Sequence, residues 1–480
     1  MFQRGFTIST KSVSICVIGC GYVGLVATVC FAEMGHQVIC VDNDEAKVKY
    51  LREGGVPIYE EHFAELQAKH LNRAIEFTTD LDGAVDRSEA IIIAVGTPQG
   101  DSGAADLSYI EAVVSQIARA IKGYKVIVEK STVPVCTSEW IRRVLFLHDV
   151  NAKNFDVVSN PEFLREGKAI IDFLHPDRIV AGSDSERAAE LLQRIYEPLA
   201  GGGYYARPDA IPGACSAANP AKFMMTSLRN AEIIKHSSNA FLAMKISFIN
   251  AVANIAEAVD ADIEYIATGM GLDKRIGPTF LRAGLGYGGS CFPKDVAAFH
   301  QIAQQQGVNF QLLEEVRKIN DGQKEIFFNK ALSALWTLRG KKLAALGLAF
   351  KGGTDDIRES PAIAIIRKFL EAGAVVTAYD PAAIERAKEV LPPSERISYA
   401  GSIYEAAQDA DAVLILTEWK EFAELDLVRL KQSLRFPIVI DGRNLFDPRA
   451  MRDHGFTYVS MGRPASGHAQ QVKPRNLIVS

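Results

Sequence analysis

Residues 13–42, VSICVIGCGYVGLVATVCFAEMGHQVICVD, decide the fold. A compact apolar run from Val13 to Ile18 passes through Gly19-Cys20-Gly21-Tyr22-Val23-Gly24 into a helical stretch, Leu25 to Met34. Gly35 closes that helix, and a second apolar run from Gln37 to Val41 ends at Asp42. This is a strand–helix–strand unit with a GxGxxG fingerprint in the context that gives it meaning. Gly19 permits the tight turn, Gly21 lets backbone approach a pyrophosphate, and Gly24 lets helix pack on strand. The phosphates then meet the free N–H groups of a helix N-terminus. Asp42, 18 residues beyond Gly24, can accept hydrogen bonds from a ribose diol and would repel a 2′-phosphate. NAD is therefore expected over NADP.

Moving outward, the doubly wound pattern continues. Ala90 to Val95 reads as a buried strand ending in Gly96-Thr97-Pro98, and Val126 to Val128 as another, ending in Glu129-Lys130-Ser131-Thr132-Val133-Pro134. Both put small polar residues at a strand's C-terminal end, where open α/β sheets bind ligands. Asp156 to Ser159 is a further short strand before Asn160-Pro161-Glu162-Phe163-Leu164-Arg165-Glu166-Gly167, whose Glu162 is either a helix-entry residue or a base held over a cofactor. Leu199 to Lys222 is rich in Gly, Pro and Ala and reads as a loop or domain-edge insertion.

Ser227 to Val259 contains no Gly or Pro and reads as one long apolar helix, expected to join domains and to form a dimer contact. Lys235 and Asn239 are spaced i, i+4 on one face of it. Helical patterns then run to about Leu338, broken by Gly284-Leu285-Gly286-Tyr287-Gly288-Gly289-Ser290-Cys291-Phe292-Pro293-Lys294-Asp295. Five of these residues are Gly or Pro, and Val296 to Gln306 has none. Cys291 thus stands just before a helix, with Pro293 near its first turn. The helix N-terminus and Lys294 favour a thiolate, and the side-chain-free glycines are expected to let a substrate reach the sulfur.

Lys341 to Leu346, Gly347-Leu348-Ala349-Phe350-Lys351-Gly352-Gly353, a helix from Pro361 to Glu371, Gly373, and Val375 to Tyr379 ending at Asp380 repeat the N-terminal plan. Asp411 to Thr417 mirrors Ala90 to Thr97, and Pro437 to Ile440 is a last strand before Asp441-Gly442-Arg443-Asn444. The second copy lacks GxGxxG, so Lys351 and its glycines suit a different pyrophosphate. The expected fold is α/β, two Rossmann-like doubly wound domains joined by a central long-helix domain. The domains run 13–222 (NAD-binding), 223–338 (central, dimerising, carrying the Cys loop) and 339–461 (second nucleotide), with 462–480 an irregular, disordered tail.

The chain has 480 residues, 48% hydrophobic and 23% charged, with net charge −5, which suits a multidomain globular protein and gives no sign of nucleic-acid affinity. Seven scattered cysteines without zinc-like pairs suggest reduced thiols in a cytoplasmic protein and no metal site. The first 12 residues do not form a signal peptide, and no apolar run reads as long enough to cross a bilayer.

An NAD site, a reactive Cys and a second phosphate-binding domain suggest oxidation through a thioester. Such a route needs a nucleophile, an oxyanion stabiliser and a carboxylate to activate water. By chemical type Cys291, Lys235 with Asn239, and Glu162 fit those roles. The motifs GCGYVG, STVP, NPEFLREG, GYGGSCFPKD and GLAFKGGTDDIRES, in this order, resemble the UDP-glucose 6-dehydrogenases of the UDP-glucose/GDP-mannose dehydrogenase family. The match runs from about Ser14 to Tyr458. The resemblance implies oxidation of UDP-glucose to UDP-glucuronate by two NAD in succession, in at least a homodimer.

Carried over by position, it implies Cys291 as nucleophile, Lys235 and Asn239 at the sugar oxygen, Asp295 supporting proton transfer, and Glu162 with Thr132 serving hydrolysis. NAD contacts fall on Gly19, Gly21, Tyr22, Val23, Gly24, Asp42, Lys47, Thr97, Thr132, Glu166 and Arg358. Substrate contacts fall on Glu162, Phe163, Leu164, Lys235, Asn239, Phe280, Arg282, Tyr287, Gly288, Phe350, Lys351 and Arg443, with Arg275 reaching in from a partner subunit. Two departures stand out: the stretch Leu199 to Lys222 is longer than usual, and Ser237 and Ser238 replace two alanines. Rival readings are a GDP-mannose or UDP-N-acetylhexosamine dehydrogenase, a simple hydroxy-acid dehydrogenase, and a non-catalytic binding protein. The Ser-Cys-Phe-Pro-Lys-Asp wording favours UDP-glucose over the N-acetylhexosamine enzymes.

Overall fold

The computed structural model describes residues 12–97 and 106–464. Pro98, and residues 465–480 of the expected tail, lie outside the described residues. The chain divides between Ser238 and Asn239 into two compact units.

The first unit is built on eight strands: β1 Ser14–Ile18, β2 Gln37–Val41, β3 Ile75–Thr78, β4 Ala90–Ile93, β5 Lys125–Glu129, β6 Phe155–Ser159, β7 Arg178–Gly182 and β8 Lys222–Thr226. They lie in the order β3-β2-β1-β4-β5-β6-β7-β8. All neighbours are parallel except β6 and β7. Because both faces are covered, the strands are nearly continuous apolar runs. Ile15 and Val17 enter the core under the helix Tyr22–Glu33. Cys16 and Ile18 point the other way, to the core under Ser108–Ala120 and Thr137–Leu147. Each fully buried Ile or Val there contributes roughly 2 kcal/mol.

The second unit's sheet comprises β9 Lys342–Leu346, β10 Val375–Tyr379, β11 Ile397–Tyr399, β12 Ala412–Ile415, β13 Ile438–Asp441 and β14 Thr457–Ser460. Its order, β11-β10-β9-β12-β13-β14, is all parallel and repeats the first six positions of the other sheet. Leu343 and Ala345 face one core, Ala344 and Leu346 the opposite one. The helices Ile263–Gly271, Phe292–Gln305 and Gln311–Leu335 belong to this same unit.

The helix Leu228–Ala258 runs for 31 residues, its first turns in one unit and the rest in the other. Contrary to the sequence reading, it is long and apolar enough by length and composition to cross a membrane. Several of its polar residues face protein, although Arg229, Asn230 and Ser237 are exposed: the Glu232 carboxylate accepts from Ser138 N and Oγ, Ser247 Oγ donates to the Val316 carbonyl, and Asn250 Oδ1 accepts from Gly284 N. The stretch read as an insertion is tied down as well. Arg207 donates to the Glu33 carbonyl and carboxylate, Tyr205 to the Leu174 carbonyl, and Ile211 N to the buried Tyr204 hydroxyl. At the other end Arg463, expected in an irregular tail, is buried against Tyr458 and Ser460.

Candidate active site

In the first unit the fingerprint forms a cradle. Gly19 has φ +105°, and a Cβ there would stand 2.6 Å from the Ala94 carbonyl oxygen. A Cβ on Gly24 would collide with the Gly19 oxygen at 1.8 Å, whereas Gly21 faces open space. The helix starts at Tyr22, three residues before the apolar stretch suggests, with Gly21 as an N-cap that offers no side chain. Its amides are left for a ligand, and the absent Cβ at Gly21 is where a pyrophosphate fits. Among the described residues Asp42 Oδ2 accepts from Cys20 N (2.8 Å) and Lys47 Nζ (3.2 Å), and Oδ1 from Asp44 N, which leaves acceptor capacity for a diol. Cys20 and Cys40 sulfurs touch at 3.3 Å beneath this turn. The contact with Cys40, then burial, pushes the Cys20 thiol up.

Tyr22 ties the cradle to the next loop. Its hydroxyl accepts from Gly167 N at 2.8 Å and donates to Glu60, whose carboxyl burial pushes up. Val23 packs against the core, and Glu166 is partly buried in that same loop. Thr97 Oγ1 donates to the Thr132 carbonyl at 2.9 Å, joining the ends of β4 and β5.

Glu162 and Lys235 are brought together from 73 residues apart. Lys235 Nζ donates to Glu162 Oε1 at 2.7 Å, and both side chains are buried. Glu162 Oε2 accepts from Leu164 N at 2.6 Å, so the carboxylate is aimed by its own turn. The Phe163 ring lies 3.7 Å from the Arg178 guanidinium and 5.5 Å from Lys235 Nζ. Behind this pair sits a cation that the sequence reading passed over. Lys130 Nζ reaches Asn160 Oδ1 and the Tyr196 hydroxyl, and Tyr196 donates to Asn160. Burial holds Lys130 down to about 8, opposed by the Glu162 charge and reinforced by Lys235. Next to it Glu129 is pushed up to about 8 by burial.

In the second unit Cys291 is the N-cap of the helix Phe292–Gln305, and Pro293 lies in its first turn. Asp295, one turn on, accepts from Asn239 Nδ2 at 2.6 Å and pairs with Lys294 at 3.0 Å. The lysine expected to favour the thiolate therefore spends charge on Asp295. Lys235 and Asn239, adjacent turns of one helix, are both buried but bind different carboxylates.

The glycines before Cys291 need a correction. Added Cβ atoms would meet Gly442 O at 2.7 Å (Gly284), Asn320 Oδ1 at 2.4 Å (Gly286), Glu359 O at 2.2 Å (Gly288) and the Phe350 ring at 2.7 Å (Gly289). The space they leave is filled by protein, not kept for a substrate. Asn320 holds the buried Tyr287 by its amide and carbonyl, and Gly289 N donates to the Arg358 carbonyl. Arg443 bridges the same loops, donating to the carbonyls of Leu416 (2.8 Å) and Phe350 (3.0 Å). Lys351 Nζ stands 5.6 Å from the Phe350 ring. Phe280, at φ +62°, lies tilted beside Phe292, with ring centroids 6.2 Å apart. Arg358 chelates Asp356, while Arg282 is exposed and Arg275 pairs with Asp273 at the surface. Among the described residues no group of three His, Cys, Asp or Glu could hold a metal.

A doubly wound sheet, a glycine cradle on a bare helix N-terminus and an acid with acceptor capacity to spare after β2 define the class of dinucleotide-binding dehydrogenases. Residues 13–200 match the NAD-binding domain of the UDP-glucose/GDP-mannose dehydrogenase family, 229–322 its central domain and 344–448 its UDP-binding domain. The chain is 45% identical over 452 residues to UDP-glucose 6-dehydrogenase TuaD of Bacillus subtilis, covering 94% of this chain and 93% of that one. It is 46% identical over 457 residues to a UDP-glucose 6-dehydrogenase of Rhizobium meliloti (94% and 99% covered). It superposes with TM-score 0.83 and 36% identity on a UDP-glucose dehydrogenase from Pyrobaculum islandicum, covering 96% and 99%. The chain belongs to the UDP-glucose/GDP-mannose dehydrogenase family.

Proposed function

We propose that this enzyme oxidises UDP-glucose to UDP-glucuronate with NAD. The observation that carries the reading is the full-length likeness to UDP-glucose 6-dehydrogenases together with Cys291 at a helix N-terminus, where the field favours a thiolate. Bound NAD supplies the acceptor for the hydride lost in each of two oxidations. Lys235 and Asn239 hold the sugar oxygen as alcohol becomes aldehyde; Lys235 takes up the hydroxyl proton as it passes its own to Glu162 Oε1, from which it leaves to water, and Asp295 holds Asn239 in place. Cys291 Sγ adds to the aldehyde carbon, and Asn239 donates to the resulting oxyanion. After the second oxidation the sugar is held as a thioester. Glu162 takes a proton from the attacking water, and Lys235, already on Glu162 Oε1, stabilises the charge.

The domains are read as 13–222 for NAD, 223–338 for the long helix and Cys loop, and 339–461 for the UDP-sugar. A homodimer is supported by an apolar stripe on the long helix, Phe241, Phe248 and Ile255, each more than half exposed at seven-residue spacing. The exposure of Arg275, 88% at its side chain, supports its reading as a residue that serves a partner's substrate. Seven free thiols support the reducing cytoplasm.

Two measurements test this. NADH production should be at least about a hundredfold faster per unit substrate concentration with UDP-glucose than with GDP-mannose or UDP-N-acetylhexosamines, a discrimination of about 3 kcal/mol. Preference for either rival sugar rejects the substrate. Cys291→Ser should lose UDP-glucuronate formation by orders of magnitude, because an oxygen ester hydrolyses far more slowly than a thioester. Near-normal turnover by that variant would sink the covalent route.

A further inference from the structure

Lys130 is 3% exposed, and among the described residues no carboxylate lies within ion-pair distance of it. Its ammonium meets only dipoles: Asn160 Oδ1 at 3.2 Å, the Asn160 carbonyl at 3.5 Å and the Tyr196 hydroxyl at 3.4 Å, with the Phe173 ring 5.4 Å away. A buried ammonium without a counter-charge is expensive, and a methionine of similar length would pack there without that cost. The charge is kept at a loss to stability, which points to a use.

Its contacts say what the use is. Asn160 is held from every side: its amide nitrogen donates to the Glu129 carbonyl at 2.9 Å, Nδ2 to the Val180 carbonyl at 2.7 Å, and Oδ1 accepts from Tyr196 at 2.6 Å and from Lys130. Pro161 follows with a ring-fixed φ, and Glu162 comes next. Any shift of Asn160 therefore turns the Glu162 carboxylate, whose two oxygens are aimed at Lys235 and Leu164 N. We propose that Lys130 is a positioning residue of the reaction: its ammonium pins Asn160 and so fixes the aim of Glu162 during hydrolysis of the Cys291 thioester. This deepens the function proposed above and rests on it. The charged and titratable groups around Lys130 agree with that placement. Glu162 favours its charge, Lys235 on the long helix opposes it, and the Cys30 thiol faces it from the helix Tyr22–Glu33. The helix Glu186–Ala200 contributes the Tyr196 hydroxyl and the helix Ala169–Leu174 an uncharged ring.

The test compares full-length wild type with Lys130→Met in three readouts: Tm, NADH formed in the first turnover, and intact mass after mixing with UDP-glucose and NAD. Lys130→Met should melt no lower than wild type and give its first NADH at a rate near normal. It should then stall, with steady-state turnover down at least about thirtyfold, since misaiming by about 1 Å is enough for that. Most of the protein should carry the sugar-nucleotide adduct. Steady-state turnover within about threefold of wild type, or a slowed first oxidation without adduct, overturns the proposal. If Lys130→Met instead loses Tm and NAD affinity, Tyr196→Phe decides, because it takes a hydroxyl from Asn160 and leaves the cation. Adduct accumulation in Tyr196→Phe supports the bracket; normal turnover without adduct overturns it. A wild type that yields neither UDP-glucuronate nor adduct would reject the proposed function itself, and the two failures are thus told apart.

Discussion

The two Rossmann-like sheets carry acids at matching places and use them differently. Asp42 follows β2, and Asp380 follows its counterpart β10. Asp380 is buried and saturated: Oδ2 accepts from Leu348 N, Ala349 N and Trp419 Nε1, and Oδ1 from Ala382 N and Ala383 N. Asp42 accepts from two backbone amides and one lysine, and keeps partial exposure. The fifth sheet position repeats the contrast. Asp441, ending β13, accepts from three backbone amides and the Tyr458 hydroxyl, whereas Glu129, ending β5, accepts from Ser131 N and its Oε2 has no hydrogen-bond partner among the described residues. Acids with spare capacity sit in the unit that matches an NAD-binding domain. Those of the second unit are brackets for its loops.

The contrast breaks most visibly at Asp380. Asp380→Ala would orphan five donors at once, four of them buried and each of those costing about 1–3 kcal/mol, so a loss of about 6 kcal/mol is expected by denaturant unfolding. Cofactor selectivity should not move. A variant that kept its stability but changed its nucleotide preference would make Asp380 a ribose reader after all.

A smaller and oppositely signed effect is expected at Glu129. Its folded pKa of about 8 stands above the ordinary 4.5. Between those values the folded state keeps a proton that the unfolded state has shed, so wild-type stability falls as pH rises through that window and flattens above it. Glu129→Gln has no such slope. It should match wild type near pH 4.5 and exceed it by about 3 kcal/mol at pH 8, part of the linkage gain being lost to the extra amide donors. Denaturation at both pH values decides, and Asp441→Asn, losing a saturated carboxylate, should destabilise at both. A flat difference across pH would mean Glu129 ionises freely.

Much of this contrast could not be read along the chain. The plan of strand, glycine loop, helix, strand and acid is local, so β1, β2, β9 and β10 and their glycines were legible. The strands β3, β7, β8, β11 and β14 were not, because runs of three to five residues without the glycine loop carry too little periodicity to stand out. Asp42 and Asp380 look alike in sequence, and only the donors that fold around them separate their roles. The candidate site divides the same way. Cys291, Lys235, Asn239 and Glu162 stood out by chemical type and neighbours. That Lys235 would meet Glu162 and Asn239 would meet Asp295 was invisible, since both contacts span many residues. The glycines before Cys291 were legible as glycines but not by cause, because the atoms they make room for come from distant segments. Lys130 was passed over, since nothing in Glu-Lys-Ser-Thr marks a lysine as buried.

Asp42 sharpens the comparison from the cofactor side. Asp42→Ala removes the charge that would repel a 2′-phosphate, and discrimination between NAD and NADP should fall about a hundredfold, near 3 kcal/mol. Tm should change by only a few degrees, because fewer buried donors depend on this carboxylate than on Asp380. Equal use of both cofactors by wild type would remove the ribose-reading role.

The smallest effect is expected at Lys351, and it asks what the second unit reads if its acids are spent. With Asp380 and Asp441 turned inward, recognition of an anionic ligand in this unit would fall to cations and amides such as those of the Gly347–Gly353 loop. Arg443 is a poor discriminator there, because its donors already hold the Leu416 and Phe350 carbonyls, and removing it would disturb the Cys loop as well as any ligand. Lys351 is partly exposed beside the Phe350 ring, so a diphosphate contact would be screened and modest. Lys351→Ala should raise the UDP-glucose Kd about tenfold and leave NAD affinity unchanged, a charge-assisted contact of about 1.4 kcal/mol. Lys351→Met keeps the stem over the ring and loses only the charge. If Met and Ala weaken binding equally and added salt narrows their gap from wild type, the charge is the reader. If Met binds like wild type, the stem's packing on Phe350 is what matters. A loss confined to NAD in either variant would assign the second sheet the wrong nucleotide.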